Sequence, residues 1–102
     1  MPAAFALHQN YPNPFNPTTT IQFELANQSL VTLKIYNTLG QEVAELIHSE
    51  LMDEGMQEAE FDATHLSSGV YFYRLTVEPV TDDEGFLVGH SFVSVKKMLF
   101  VK

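Results

Sequence analysis

Any chemistry in this 102-residue chain would have to come from four histidines, one acidic tetrapeptide, a pair of alternate glutamates and a serine pair. The histidines, His8, His48, His65 and His90, are scattered. None has the i+2 or i+4 neighbour that would set two imidazole nitrogens on one metal, so they read as surface residues. Asp82-Asp83-Glu84-Gly85 gathers hard oxygen donors of the kind calcium takes, without the spaced ligands of a dedicated calcium loop. On a strand Glu58 and Glu60 point the same way, about 7 Å apart. The face they share is the solvated one, where nothing raises a carboxyl pKa for acid–base work. Ser67-Ser68-Gly69 lacks the preceding glycine of a nucleophile elbow. Asn27-Gln28-Ser29 fits a glycosylation sequon, a pattern short enough to occur by chance. Cysteine is absent, which removes disulfides, thiolate metal sites and a cysteine nucleophile together. No Gly-rich phosphate loop exists. The residues therefore spell no active site, and no metal, cofactor or small-molecule substrate is expected.

Size and charge narrow the remaining classes. A chain of this length forms one domain with a modest core, and 45% apolar content marks it as globular. No apolar run approaches the ~18 residues of a membrane span. Met1-Pro2-Ala3-Ala4 lacks the basic and apolar stretches of a signal peptide. A net charge of −8 argues against nucleic acid and anionic membrane as partners. The charge is uneven: residues 42–62 carry eight acids and no base, whereas the last seven residues carry three lysines and no acid. That polarity reads either as a docking device or as a solvated face beside a lysine-protected edge.

The elements that must position these groups are strands. Ile21, Phe23 and Leu25 alternate with polar residues, as do Val31, Leu33 and Ile35, with turns at 26–29 and at 37–40, where Gly40 suits a positive φ. Residues 41–47 break strict alternation and read as a bulged strand, with a short amphipathic helix as the competing assignment. Residues 49–55 read as a loop. Gln57, Ala59 and Phe61 then face inward, Leu66 plugs the core from a connection, and 70–77 is the most strand-like run, with Tyr71, Tyr73, Leu75 and Val77 on one face. The spacing Leu66-x-x-Gly69-x-Tyr71 has the shape of a tyrosine corner. Asp82 to Gly85 is a hairpin turn, and Gly89 breaks the return strand over 86–101. About seven short strands predict an all-β, antiparallel sandwich of immunoglobulin-like type. A short N-terminal tail is expected over 1–9 and one domain over 10–102.

One stretch fits neither strand nor helix. Asn10-Tyr11-Pro12-Asn13-Pro14-Phe15-Asn16-Pro17 holds three prolines, each fixing φ, removing a donor and biasing its predecessor toward extended backbone. The expectation is a stiff, polyproline-like ribbon, with Tyr11 and Phe15 docked onto the core as anchors; an interdomain linker is the plainer alternative.

This ribbon, then Val31 to Val43, then Leu66 to Leu75 and finally Lys96-Lys97-Met98-Leu99-Phe100-Val101-Lys102, together resemble a type A C-terminal sorting domain. Such domains address proteins to the type IX (Por) secretion system of Bacteroidetes and related bacteria, and are similar to the immunoglobulin-like domain of flagellar hook-capping proteins. Four motifs stand in the right order over residues 8–102. Two departures are the long segment Glu78 to Ser91 and Phe61, where the family commonly shows tryptophan. The resemblance implies a non-enzymatic module at the end of a larger exported cargo, recognised by outer-membrane machinery, removed by a sortase-like peptidase, and destined for the cell surface or medium. It places recognition at Lys96, Lys97, Met98 and Lys102. Asn10, Tyr11, Pro12, Pro14, Phe15, Pro17, Gly40, Gly69, Tyr71 and Tyr73 become motif residues that hold the fold. A carbohydrate-binding module and a structural immunoglobulin-like spacer are the alternatives; against the former, tryptophan is absent and Tyr71 and Tyr73 face inward by parity.

Overall fold

The structure, a computed structural model, describes residues 4–102. The Met1-Pro2-Ala3 start, and with it most of the signal-peptide reading, lies outside the described residues. Among the described residues nine strands follow one another: β1 (Ala6–Leu7), β2 (Thr18–Leu25), β3 (Ser29–Tyr36), β4 (Glu42–Met52), β5 (Gly55–Asp62), β6 (Gly69–Glu78), β7 (Val80–Thr81), β8 (Leu87–Val88) and β9 (Phe92–Phe100). They form a three-stranded sheet in the order β1-β2-β5, a four-stranded sheet in the order β4-β3-β6-β9, and a small β7-β8 hairpin. All the strand pairs are antiparallel. This is the antiparallel β-sandwich the alternation predicts; the count exceeds seven because three of the strands are only two residues long.

Period-two patterning decides which side of each strand is dry. Ile21, Phe23 and Leu25 of β2 meet Val31, Leu33 and Ile35 of β3, and Tyr73, Leu75 and Val77 of β6, all between 0 and 1% exposed. Phe61, Tyr71, Met98 and Phe100 close the same core. Thr19 and Ser29 are buried polar residues at strand starts. The Ser29 hydroxyl donates to the Asn27 carbonyl at 2.9 Å, so the turn into β3 leaves it satisfied. Glu58 and Glu60 are exposed with Ala59 turned inward, which confirms the β5 register; Glu24 and Lys34, on the outer parity of β2 and β3, are half-buried. Leu66 packs against the core from the connection, half-buried.

Residues 42–52 are strand throughout, not helix. Three register shifts separate β4 from β3, and Ser49 takes a positive φ of 43°, so the broken alternation marks bulges. The loop expected over 49–55 is therefore wrong in its first half. Glu50 to Met52 stay paired with β3, and the bulged Ser49 donates its amide to Thr32 Oγ1 at 3.2 Å, since an edge strand needs a backbone partner on one side only. The turn before β4 is held by Asn37, whose Oδ1 accepts from the amides of Leu39 and Gln41 at 2.9 and 3.0 Å, with Gly40 at φ +80°.

The proline stretch departs from expectation in form. Tyr11-Pro12, Asn13-Pro14 and Asn16-Pro17 are cis, and the segment is a chain of bends rather than a polyproline ribbon. Tyr11 is no anchor: its side chain is 81% exposed. The reason is parity. Tyr11 bridges Thr20 antiparallel, with both amide–carbonyl bonds at 3.0 Å, so it shares Thr20's outward face while Asn10 takes the inward position. Phe15 is the anchor, 2% exposed, its ring stacked on Phe100 at 5.2 Å and tilted against Phe61 at 6.1 Å. Within the stretch read as a tail, Ala6 and Leu7 pair with Glu24 and Phe23, and Phe5 stacks on Phe92.

Candidate functional site

Among the described residues, motif residues, buried polar groups and positive charge without an ion-pair partner converge on the C-terminal strand and the bends that brace it. Asn10 organises the bends. Its Nδ2 donates to Thr19 Oγ1 at 3.0 Å and to the Pro12 carbonyl at 3.2 Å, and the Thr19 hydroxyl donates to that same carbonyl at 2.8 Å. A buried amide with both sides engaged fixes a unique conformation, because any other would strand polar groups in a dry core.

Tyr73 ties this knot to the sandwich. Its hydroxyl donates to the His8 carbonyl at 2.7 Å and accepts from the Asn10 amide at 2.8 Å. Burial pushes the Tyr73 phenol up to about 12, with the Asn10 amide pulling weakly the other way. Tyr71, two residues earlier on the same face, donates to the Ser67 carbonyl at 2.7 Å and completes the tyrosine corner expected from its spacing.

β9 is an edge strand, and the bends cover half its open side. The Phe15 amide donates to the Leu99 carbonyl and the Val101 amide to the Phe15 carbonyl, both at 3.0 Å. Asn13 Oδ1 accepts from the Leu99 amide at 2.9 Å, Gln9 Nε2 donates to the Lys97 carbonyl at 2.8 Å, and the Lys102 amide donates to Ser68 Oγ. Sequence reasoning missed Gln9, Asn13 and Thr19. The available signal was the polar residues set among the prolines, which have no strand of their own to serve.

The four residues expected to carry recognition do not act alike. Lys97 is exposed on the outer face and Lys102 lies exposed past the strand end; Lys96 falls on inner-face parity and is half-buried. Met98 is 1% exposed, so its place is in the core, not on a contact surface. Of the five bases, Lys34 is paired, 3.0 Å from Glu42 and 3.8 Å from Glu45, and the Glu42 hydrogen bond and charge raise its pKa. The Arg74 guanidinium lies 4.8 Å from the centre of the Tyr36 ring. Among the described residues Lys96, Lys97 and Lys102 form no ion pair.

The acidic tetrapeptide has a structural task. Asp82 Oδ1 accepts from the Glu84 and Phe86 amides at 2.9 and 3.0 Å, which closes the β7–β8 turn. Among the described residues no three His, Asp or Glu side chains gather as a possible metal set. Asp62 is likewise used locally: hydrogen bonds from Thr64 hold its carboxyl below the usual range.

Fold and site together define a small β-sandwich module whose distinguishing parts are a proline-bend brace and a basic terminal strand, with no assembled reaction centre among the described residues. Residues 9–84 match the model of the secretion system C-terminal sorting domain family, and the chain belongs to that family. It is a sorting-signal domain for type IX secretion, whose family role is export to the cell surface or medium while attached to an upstream cargo. The match takes in the proline bends through β7 and ends before β9. No curated protein matches the chain. Among solved structures it is similar to CopC from Methylosinus trichosporium OB3b, at 16% identity over 95% of this chain and 93% of that one, with a TM-score of 0.56. That likeness concerns the sandwich fold.

Proposed function

We propose that the domain is a non-enzymatic address read in its folded state: its cargo enters the periplasm by a separate N-terminal signal, outer-membrane type IX machinery binds the basic end of β9, and a sortase-like peptidase then detaches it. The observation that carries this reading is the placement of the bases. The core and braces hold β9 rigidly, yet Lys97 and Lys102 project from it exposed, in a domain of net charge −8. Charge set apart in this way steers an acidic partner toward one end of the molecule. Lys96 contributes from the rim, and Met98 contributes by fixing the strand from inside. Fusing the chain behind a periplasmic reporter, in a bacterium that has the type IX system, should deliver the reporter to the surface or medium. Reporter retained in the periplasm with the whole domain attached would refute the proposal.

A further inference from the structure

The outer face of β9 is apolar where an edge strand of an independent domain would be polar. Val93, Val95, Leu99 and Val101 are 60%, 53%, 38% and 46% exposed, interrupted only by Lys97. The outer face of the opposite sheet shows the ordinary pattern, with Gln22 and Glu24 on β2 and Glu58 and Glu60 on β5. Behind the β9 residues, register sets Thr76, Arg74, Phe72 and Val70 of β6 against Val93, Val95, Lys97 and Leu99. A shallow concavity of about 320 Å³ opens there, lined by Tyr36, Phe72, Arg74 and Val95 among others.

The backbone of the same strand is open in one interval. Leu99 and Lys97 direct their edge groups away from β6, to Asn13, Phe15 and Gln9. Since the period is two, Val95 and Val93 direct theirs the same way. No hydrogen bond from the described residues reaches the outward amide or carbonyl of either valine. The proline bends thus cap β9 from Lys97 to Val101 and stop, so that among the described residues the edge from Val93 to the Lys97 amide has no backbone partner. An extended, apolar edge of this kind is a template for another strand.

We infer that the Val93–Lys97 edge accepts an extended acidic segment of the export machinery, in which apolar and acidic side chains alternate, by β-strand addition. Backbone bonding to Val93, Val95 and Lys97 supplies affinity, and side chains on the two faces of the added strand supply selection. Apolar side chains of the added strand would extend the Val93–Val95 row. By the same period of two its carboxylates would lie on the opposite face, toward Lys96, which forms no ion pair among the described residues. The inference rests on the sorting reading for the identity of the partner, not for the existence of the edge.

Two arms test it. In the first, amide hydrogen exchange of the ¹⁵N-labelled chain is followed with a capped Val-Glu-Val-Glu-Val-Glu-Val peptide and with its Lys-for-Glu counterpart. The acidic peptide should slow the Val93, Val95 and Lys97 amides about tenfold or more at saturation, less so as salt rises, and the basic peptide should not. No slowing, equal slowing by both peptides, or slowing confined to Phe86–Val88 would overturn the inference. So would a dimer in sedimentation whose own Val93 and Val95 amides are protected, because the occupant would then be a second copy. In the second arm, Val95→Pro removes only an outward donor, which an edge strand tolerates, and obstructs an added strand. The variant should keep the wild-type melting temperature, fail to bind the acidic peptide and leave a fused reporter in the periplasm. Folded Val95→Pro exported like wild type would sink the edge inference with the sorting role intact. A wild-type fusion that stays periplasmic would sink the sorting role, while the peptide arm still decides the edge.

Discussion

Tyr73 is the residue on which the brace depends, and its partners lie 63 and 65 positions away in sequence. Parity placed it inside correctly, but a bond to a backbone so distant has no local signature. Tyr73→Phe would leave the His8 carbonyl and the Asn10 amide without their partner in a dry setting, at a cost of about 1–3 kcal/mol by chemical denaturation. The pH dependence has a definite sign. Because the folded phenol is raised to about 12 from an ordinary 10, the native state keeps a proton that the unfolded chain releases. Its contribution is complete below pH 10 and is lost as pH climbs toward 12, by roughly 2 kcal/mol. In Tyr73→Phe that portion of the alkaline decline should vanish; an unchanged alkaline limb would show that another group controls it. Phe15 and Tyr11 make a paired test of the bends. Phe15→Ala should cost roughly 3–5 kcal/mol. Tyr11→Ala, at an exposed position, should stay within about 0.5 kcal/mol. The aromatic residues drew attention to the right segment, but type alone could not tell which of the two faces inward. The neighbour decided it, since buried Asn10 forces Tyr11 out.

Strands with one dry face were legible element by element. In β2, β3, β5 and β6 burial alternates with period two, and the larger apolar residues of each mostly fall on the dry parity. β4 was less so, because its bulges mix the two faces and its last residues are held by pairing rather than by burial. β1 is too short to carry a period at all. β9 is the instructive case. Its inner face reads Phe92, Ser94, Lys96, Met98, Phe100 and its outer face is mostly valine and leucine, so hydropathy alone points the wrong way for much of its length. Pairing with β6 and the Phe15 bridge settle the orientation. Removing Met98 to Lys102 would therefore not be a surface edit. It deletes two core side chains and the partners of Phe15, and the truncated chain should lose its cooperative melting transition. A truncated chain that melts cooperatively near the wild-type temperature would show that β9 contributes far less to the core than its burial indicates.

At the scale of the whole molecule, the fold is a rigid sandwich with an acidic middle and a basic last strand, and the function attaches to that polarity. The family resemblance was readable from four ordered motifs, whereas the assignment of recognition to particular residues needed coordinates, which sort exposed Lys97 and Lys102 from half-buried Lys96 and core Met98. The most direct measurement is fractionation of a reporter fused to two variants whose charge changes are equal in size and opposite in sign. One is Lys96→Gln/Lys97→Gln/Lys102→Gln; the other is Glu50→Gln/Glu58→Gln/Glu60→Gln. All six side chains lie at exposed or half-buried positions outside the hydrophobic core, so both variants should melt within a few degrees of wild type. The expected result is that the lysine variant accumulates in the periplasm and the glutamate variant reaches the surface or medium as wild type does. Export of the lysine variant at the wild-type level, with the glutamate variant retained, would contradict the placement of recognition on the basic C-terminal strand.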